Sequence, residues 1–148
     1  MTKIILIGVL TSALTSTGAH AAITSHWTSG ESKGVQAFNV NAKNGVELSV
    51  NCDSSGNRDL FITIPGKHEW VTPDKNKIQL HLGEDSYPIE ALGTNYGDSW
   101  WFNLWKDAAE SDEKVMTIFV DSKETASVTL KGFKQLYSSQ DAMDCLRR

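Results

Sequence analysis

The chain has 148 residues, of which 40% are hydrophobic and 22% are charged, and its formal net charge at pH 7 is −4. This acidic balance argues against nucleic acid as a partner and against anionic membrane surfaces, because both bind to basic protein surfaces. The length is that of one ordinary domain, which is large enough to bury a hydrophobic core.

The first 21 residues have the features of a secretory signal peptide. Lys3 supplies a short positive start, an apolar stretch begins at Ile4, and residues 19–21 (AHA) form the small-x-small pattern that signal peptidase recognises. The apolar part is too short and too rich in Ser and Thr to span a bilayer. We therefore predict cleavage after Ala21 and a single exported domain of residues 22–148, periplasmic or alternatively secreted, with no stable insertion in the membrane.

The alternation of apolar and polar residues predicts a series of β-strands. Residues 22–34 are polar and are predicted to be an irregular lead-in, anchored by Trp27. The turn-forming cluster 53–57 separates two strands and predicts a hairpin. Pro88 lacks a backbone N–H, so the strand that contains it belongs at the edge or end of a sheet. The predicted strands are 36–40, 46–52, 60–64, 78–82, 86–91, 115–120 and 126–130.

Two short helices complete the prediction. Apolar residues spaced by four indicate a helix over about 99–111, with Asp98 or Ser99 as its N-cap. The tail predicts a second helix over about 134–146, which carries Cys145. The fold class is therefore α+β, mainly an antiparallel β-sheet or sandwich with two short helices and one disulfide.

The only two cysteines are Cys52 and Cys145. In an oxidising compartment we expect them to form one disulfide that closes a loop of roughly 90 residues. Two free thiols or a metal-binding pair are the alternatives, but no CxxC or Cys/His ligand spacing is present. We predict no metal site and no cofactor.

The segment YGDSWWFNLW, residues 96–105, has three possible interpretations. As a GDS hydrolase motif, it would need a histidine base for Ser99, normally held by an acid. The predicted mature chain contains only His26, His68 and His81, and none of them follows Ser99. A capped helix that packs on the sheet explains the segment better, so we predict a protein that is not an enzyme.

The third interpretation is a binding surface on the same helix. Most of its aromatic surface is expected to be buried, but one indole, Trp101 or Trp105, is predicted to stay at the rim in contact with water. Together with Asp107 and Glu110 it would form a contact point for a protein or a sugar. A solvated helix end is the alternative explanation for the two acidic residues.

The order of several segments resembles a known family. Residues 48–52 (LSVNC) precede the strand 60–64 (LFITI), and residues 128–133 (VTLKGF) precede a final segment that bears Cys145. This layout resembles the small periplasmic accessory proteins associated with type VI secretion, and similar layouts occur in invasion-associated periplasmic proteins. The resemblance implies a non-enzymatic envelope protein and carries over no binding residue.

These observations predict an exported, non-enzymatic binding or accessory protein of the bacterial envelope, a class that includes inhibitor- and immunity-type proteins. Its partner would be a protein or another envelope component. The alternatives are a small hydrolase that acts on the cell wall or a glycan through Asp and Glu side chains, and a secreted effector.

Overall fold

Two four-stranded antiparallel sheets form most of the molecule. The computed structural model describes residues 26–147, so the predicted signal peptide 1–21 and its cleavage site lie outside the described residues. The first sheet contains, in chain order, β1 (Thr28–Ser32), β2 (Val35–Asn41), β3 (Glu47–Asp53) and β4 (Arg58–Thr63). The second contains β5 (Ile78–Leu82), β6 (Asp85–Ile89), β7 (Val115–Val120) and β8 (Lys123–Thr129), arranged β6-β5-β7-β8.

Two helices and one helical turn accompany the sheets. Helix α1 (Asn95–Glu110) packs against β6 and against α2 (Phe133–Tyr137), and a 3-10 turn follows at Gln140–Ala142. The predicted class, α+β and mainly antiparallel β-sheet, is confirmed. Among the described residues, no helix combines the length and the apolar character that crossing a membrane requires.

The predicted hairpin at the turn cluster 53–57 is confirmed as β3–β4. Its strands pair with Val50 opposite Leu60 and Leu48 opposite Ile62, and all four side chains are buried. The Asp53 carboxylate closes the turn by accepting bonds from the Asn57 side chain and from backbone N–H groups. These bonds, that of the Asn57 side chain first, lower the pKa of Asp53 below its usual value.

The expectation of an irregular lead-in over residues 22–34 is wrong for its described part. Residues 28–32 form the edge strand β1, which pairs with β2 through a tight turn at Lys33 and Gly34, both with positive φ. Such two-residue turns match the twist of antiparallel strands. The strand has the polar sequence TSGES and is mostly exposed, so no apolar alternation reveals it; backbone pairing to β2 forms it.

The edge position predicted from Pro88 is confirmed. Pro88 lies in β6, opposite Gln79, and β6 has no strand beyond it in the second sheet. Because β6 lies at the edge, it has no strand on its outer side that would need a hydrogen bond from the missing N–H.

Helix α1 begins at Asn95, four residues before the predicted start. Its N-cap is Thr94, whose Oγ1 accepts a hydrogen bond from the Gly97 N–H at 3.1 Å. The predicted caps, Asp98 and Ser99, are wrong because both lie inside the helix. The misleading residue is Gly97, which suggests a turn in the sequence but occupies the first helical turn, where it is buried.

Gly97 is required here by close packing. A Cβ atom at this position would collide with the backbone carbonyl oxygens of Glu90 and Ala91. Replacing a helix-interior glycine by alanine normally stabilises a protein by about 0.5–1 kcal/mol. We expect Gly97→Ala to have the opposite effect and to lower the free energy of unfolding by about 1–3 kcal/mol, because backbone atoms must move to admit the methyl group.

Urea unfolding of Gly97→Ala beside Ser99→Ala tests this expectation. Ser99 is exposed on the same helix, so its substitution should change stability by less than about 0.5 kcal/mol. A Gly97→Ala protein at least as stable as the Ser99→Ala protein would contradict the close-packing argument.

The predicted helix over 134–146 is wrong in extent, and Cys145 is not helical. Helix α2 ends at Tyr137, because the hydroxyl groups of Ser138 and Ser139 donate to the carbonyl oxygens of Lys134 and Leu136. Side-chain bonds of this kind compete with continuation of a helix. The chain then turns back through the 3-10 turn toward the first sheet.

The predicted disulfide is confirmed between Cys52 in β3 and Cys145. Its Cα atoms are 5.7 Å apart across a sequence separation of 93 residues. Both cysteines are buried. The bond therefore attaches the C-terminal segment to the first sheet, near the turn at Asp53.

An aromatic cluster joins α1 to the N-terminal segment and to α2. The Trp105 ring lies 5.9 Å from Trp27, 5.4 Å from Trp101 and 5.6 Å from Phe133, measured between centroids. The Trp27 indole N–H donates to the Thr129 carbonyl at 2.8 Å, which confirms Trp27 as the anchor of the N-terminal segment. Edge-to-face contacts between aromatic rings add to the stabilisation from their burial.

Candidate functional site

The predicted rim position of Trp101 or Trp105 is wrong. Both side chains are 0% exposed, and the Trp101 indole N–H donates to the Cys145 carbonyl at 2.8 Å. The groups that cover them, including Trp27 and Phe133, come from distant parts of the chain. In the folded protein neither indole is accessible to a partner.

The two acidic residues of the predicted binding group have different environments. Glu110 is exposed at the end of α1, whereas Asp107 is partly buried and accepts a hydrogen bond from the Tyr87 hydroxyl at 2.6 Å. Burial, followed by the bond to Asp107, raises the pKa of Tyr87 well above its usual value. The Tyr87 hydroxyl therefore stays protonated and ties β6 to α1, which gives Asp107 a structural contact.

The exposed aromatic residue of α1 is Tyr96, which lies near the start of the helix. Tyr96 is 60% exposed, and its ring meets the partly buried Trp100 edge-on at 6.3 Å between centroids. Trp100 in turn meets Tyr87 at the same distance. Tyr96 and Trp100 are four residues apart, so the helix places them on one face. We call the pair of Tyr96 and Trp100 the helix surface.

The most exposed large aromatic side chain in residues 26–147 is Trp70, at 62%. Its indole is stacked on Phe61 of β4, with 5.1 Å between ring centroids and 19° between planes. The neighbouring Val71 is buried and exchanges two backbone hydrogen bonds with Ile62, of 2.9 and 3.0 Å. The indole is thus exposed to solvent and also held in one position by its backbone and by Phe61.

Polar side chains continue from Phe61 across the outer face of the first sheet. Thr28, Asn39, Ser49 and Phe61 are successive cross-strand partners, one from each strand. The Ser49 hydroxyl lies 2.8 Å from Asn39 Oδ1 and 3.0 Å from Glu47 Oε1, and Ser49 is only 2% exposed. The Ser49 hydroxyl has one proton, so it donates to one of these two oxygens at a time.

We call the group of Asn39, Glu47, Ser49, Phe61 and Trp70 the sheet surface. It combines a flat aromatic pair with an amide and a carboxylate on one sheet face. Aromatic anchors bordered by polar groups are the composition found at the centres of protein interfaces. Asn39 and Glu47 add hydrogen-bonding groups that can select among partners.

No pattern in the sequence identifies Trp70 as an exposed residue. It lies in the short segment HEWV, residues 68–71, between the turns at Pro65-Gly66 and Thr72-Pro73. This segment has no periodic pattern from which burial can be inferred. The one available signal was an isolated tryptophan in a polar segment, and its stacking on Phe61 arises only when the chain folds back along β4.

Two serines can be considered as catalytic nucleophiles. Ser99 is exposed in the first half of α1, whereas the Ser86 Oγ lies 3.1 Å from His81 Nε2 on the outer face of the second sheet. The His81 ring stacks on Phe119, and among the described residues no carboxylate accepts a hydrogen bond from it. A serine nucleophile needs a base that is itself oriented, so this pair lacks one part of a triad. Within residues 26–147, no cluster of three His, Cys, Asp or Glu side chains is arranged to hold a metal ion.

A family model described as YfjT matches residues 25–137. The chain belongs to this family. The matched region contains both sheets, α1 and α2, and it ends before the segment that carries Cys145. Searches among curated proteins and among solved structures gave no match. The family match does not bear on the resemblance to type VI secretion-associated proteins, which stays a prediction.

Proposed function

We propose that this YfjT-family protein is an exported binding or accessory protein of the bacterial envelope, which acts by surface contact with a protein or another envelope component. Export is supported by the predicted signal peptide and agrees with the disulfide between Cys52 and Cys145. Inhibitor- and immunity-type proteins belong to the same functional class.

The observation that carries the proposal is the exposed and stacked indole of Trp70. Binding normally requires that mobile side chains become ordered, at about 0.5–1.5 kcal/mol for each. Trp70 is already held by Phe61 and by the Ile62–Val71 pairing, so this ordering is largely complete before binding. Tryptophan is also enriched among the residues that dominate binding energy at interfaces.

A pull-down from envelope extract tests the role of Trp70. The bait is purified from the osmotic-shock fraction of cells that express the whole chain, and mass spectrometry should show that it begins at Ala22. We expect Trp70→Ala to weaken the captured interaction by about 30-fold, the ratio that corresponds to a hot-spot loss of about 2 kcal/mol. The ratio is then measured with the purified partner by calorimetry.

Tyr96→Ala is the matched control, since Tyr96 is equally exposed but belongs to the helix surface. It should leave the affinity unchanged, and both variants should remain folded. Loss of the partner in Tyr96→Ala with retention in Trp70→Ala would assign binding to the helix surface instead. Retention in both variants would contradict the proposal.

A further inference from the structure

A cavity of about 640 Å³ lies between the β2–β3 loop and the outer face of β7 and β8. Val115 and Thr129 are cross-strand partners on this face, and the loop contributes Ala42 and Lys43. Lys114 precedes β7 and Lys131 follows β8, so both stand at the same end of the strand pair. We call this site the cationic groove. Its volume is typical of small-molecule sites, about 300–1,000 Å³.

The loop that forms one wall of the groove is held in place by hydrogen bonds. The Asn44 side-chain amide donates to the Thr125 carbonyl of β8 at 3.0 Å. Within the loop, the Ala42 N–H donates to the Val46 carbonyl at 2.8 Å, and Gly45 completes the turn with a φ of +82°. The groove is therefore formed before any ligand arrives, which reduces the entropy lost on binding.

The charge of the groove is opposite to that of the protein. Lys43, Lys114 and Lys131 line it with no Asp or Glu among the lining residues, although the whole chain has a net charge of −4. In residues 26–147, none of the three lysines has an acidic side chain within ion-pairing distance. Their ammonium groups are thus available to a ligand anion.

The groove also offers apolar surface. The Val115 side chain is 46% exposed. Ser127 and Thr129 also line the groove from the same sheet face. The methylene stems of the surrounding lysines add apolar area while their charged ends stay in water. An anion without an apolar portion would leave this surface in contact with water, whereas an alkyl chain would cover it.

We propose that the cationic groove binds a single-chain amphiphile with a carboxylate head group, that is, a fatty acid. The carboxylate lies among the three ammonium groups, and the alkyl chain lies against Val115 and the methylene stems of the lysines. The groove shares no residue with the sheet surface, so this inference does not depend on the function proposed for Trp70.

Isothermal titration calorimetry of the mature protein with dodecanoate, below its micellar concentration, tests the proposal. We expect saturable binding of one molecule per chain. Dodecyltrimethylammonium, which has the same chain and the opposite charge, and acetate, which has the head group alone, should each bind at least about 10-fold more weakly. Equal binding of the cationic surfactant, equal binding of acetate, or no saturable binding of dodecanoate would each overturn the proposal.

Two double variants assign the site. The variant Lys114→Gln with Lys131→Gln should weaken dodecanoate binding by about 10-fold or more, because two of the three cations are lost. The control, Lys75→Gln with Lys106→Gln, makes the same change in net charge at exposed positions outside the groove and should bind as the wild type does. Equal loss in both double variants would show a general charge effect and would refute the groove as the site.

Discussion

Replacing both cysteines by serine (Cys52→Ser with Cys145→Ser) is expected to lower the thermal midpoint by about 10 °C or more. Loss of a native disulfide from a small domain costs about 2–5 kcal/mol of the free energy of unfolding. The stabilisation grows with the length of the closed loop, so the separation of 93 residues predicts a loss toward the upper end of this range. The C-terminal segment then depends on its own packing, mainly that of Ala142 and Leu146, and on the bond from Trp101 to the Cys145 carbonyl.

Differential scanning calorimetry of the wild type, the double serine variant and the reduced wild type measures this effect. The reduced wild type should unfold at nearly the same midpoint as the double variant, since both lack only the covalent link. Alkylation of the unreduced wild type under denaturing conditions should add no mass, because no free thiol exists in the described structure. An unchanged midpoint in the double variant would mean that the bond does not contribute to stability.

The second large effect is expected at Trp105. Truncation of a buried aromatic side chain to alanine usually costs about 3–5 kcal/mol, and Trp105 is 0% exposed at the centre of the aromatic cluster. Its indole N–H has no hydrogen-bond partner among the described residues, so the loss is one of packing. Trp70→Ala is the matched control, and we expect it to change the free energy of unfolding by less than about 1.5 kcal/mol, the contribution of its stacking on Phe61.

Phenylalanine substitutions separate packing from hydrogen bonding in the same cluster. Trp101→Phe removes the donor to the Cys145 carbonyl and leaves that buried oxygen unpaired, whereas Trp105→Phe removes no bond. We therefore expect Trp101→Phe to cost more than Trp105→Phe, by about 1–3 kcal/mol in urea unfolding. Equal costs would show that the Trp101 bond adds little, and a tolerated Trp105→Ala would contradict the central position of this ring.

The strands that sequence analysis located are those with an apolar face. Residues 46–52, 60–64 and 78–82 alternate because one side of each strand is buried in the core, and each corresponds to an observed strand within two residues. β1 was missed because its side chains are mostly exposed and its pairing involves backbone groups, which every residue carries. Backbone pairing does not require particular residue types, so the polar sequence of β1 does not indicate a strand.

The helix boundaries show a related limit. Apolar spacing correctly placed a helix around Trp101 and Trp105, but its start depends on Thr94, a cap that lies beyond a glycine. Whether Gly97 belongs to a turn or to a helix depends on the neighbouring carbonyl groups of Glu90 and Ala91, which pack against it. Contacts of this kind exist only in the folded chain.

The candidate sites depend on tertiary structure more than the strands and the helix boundaries do. Amphipathic spacing indicates that one helix face is covered, but it does not show how far the cover extends. The N-terminal segment, α2 and the C-terminal segment together enclose Trp101 and Trp105. The most exposed aromatic side chains of the described residues are Trp70 and Tyr96. The cationic groove likewise joins Lys43 to Lys114 and Lys131 across about half of the chain.

The sequence by itself determined the fold class, most of the strands, the edge position of Pro88 and the pairing of the two cysteines. These features follow from local periodicity, from the chemistry of single residues, and from there being only two thiols to pair. The tertiary structure decided which tryptophans are buried, where α1 begins and which charged groups share a surface. The physical reason is that burial and charge proximity are properties of distant segments brought together, and no local pattern in the chain encodes them.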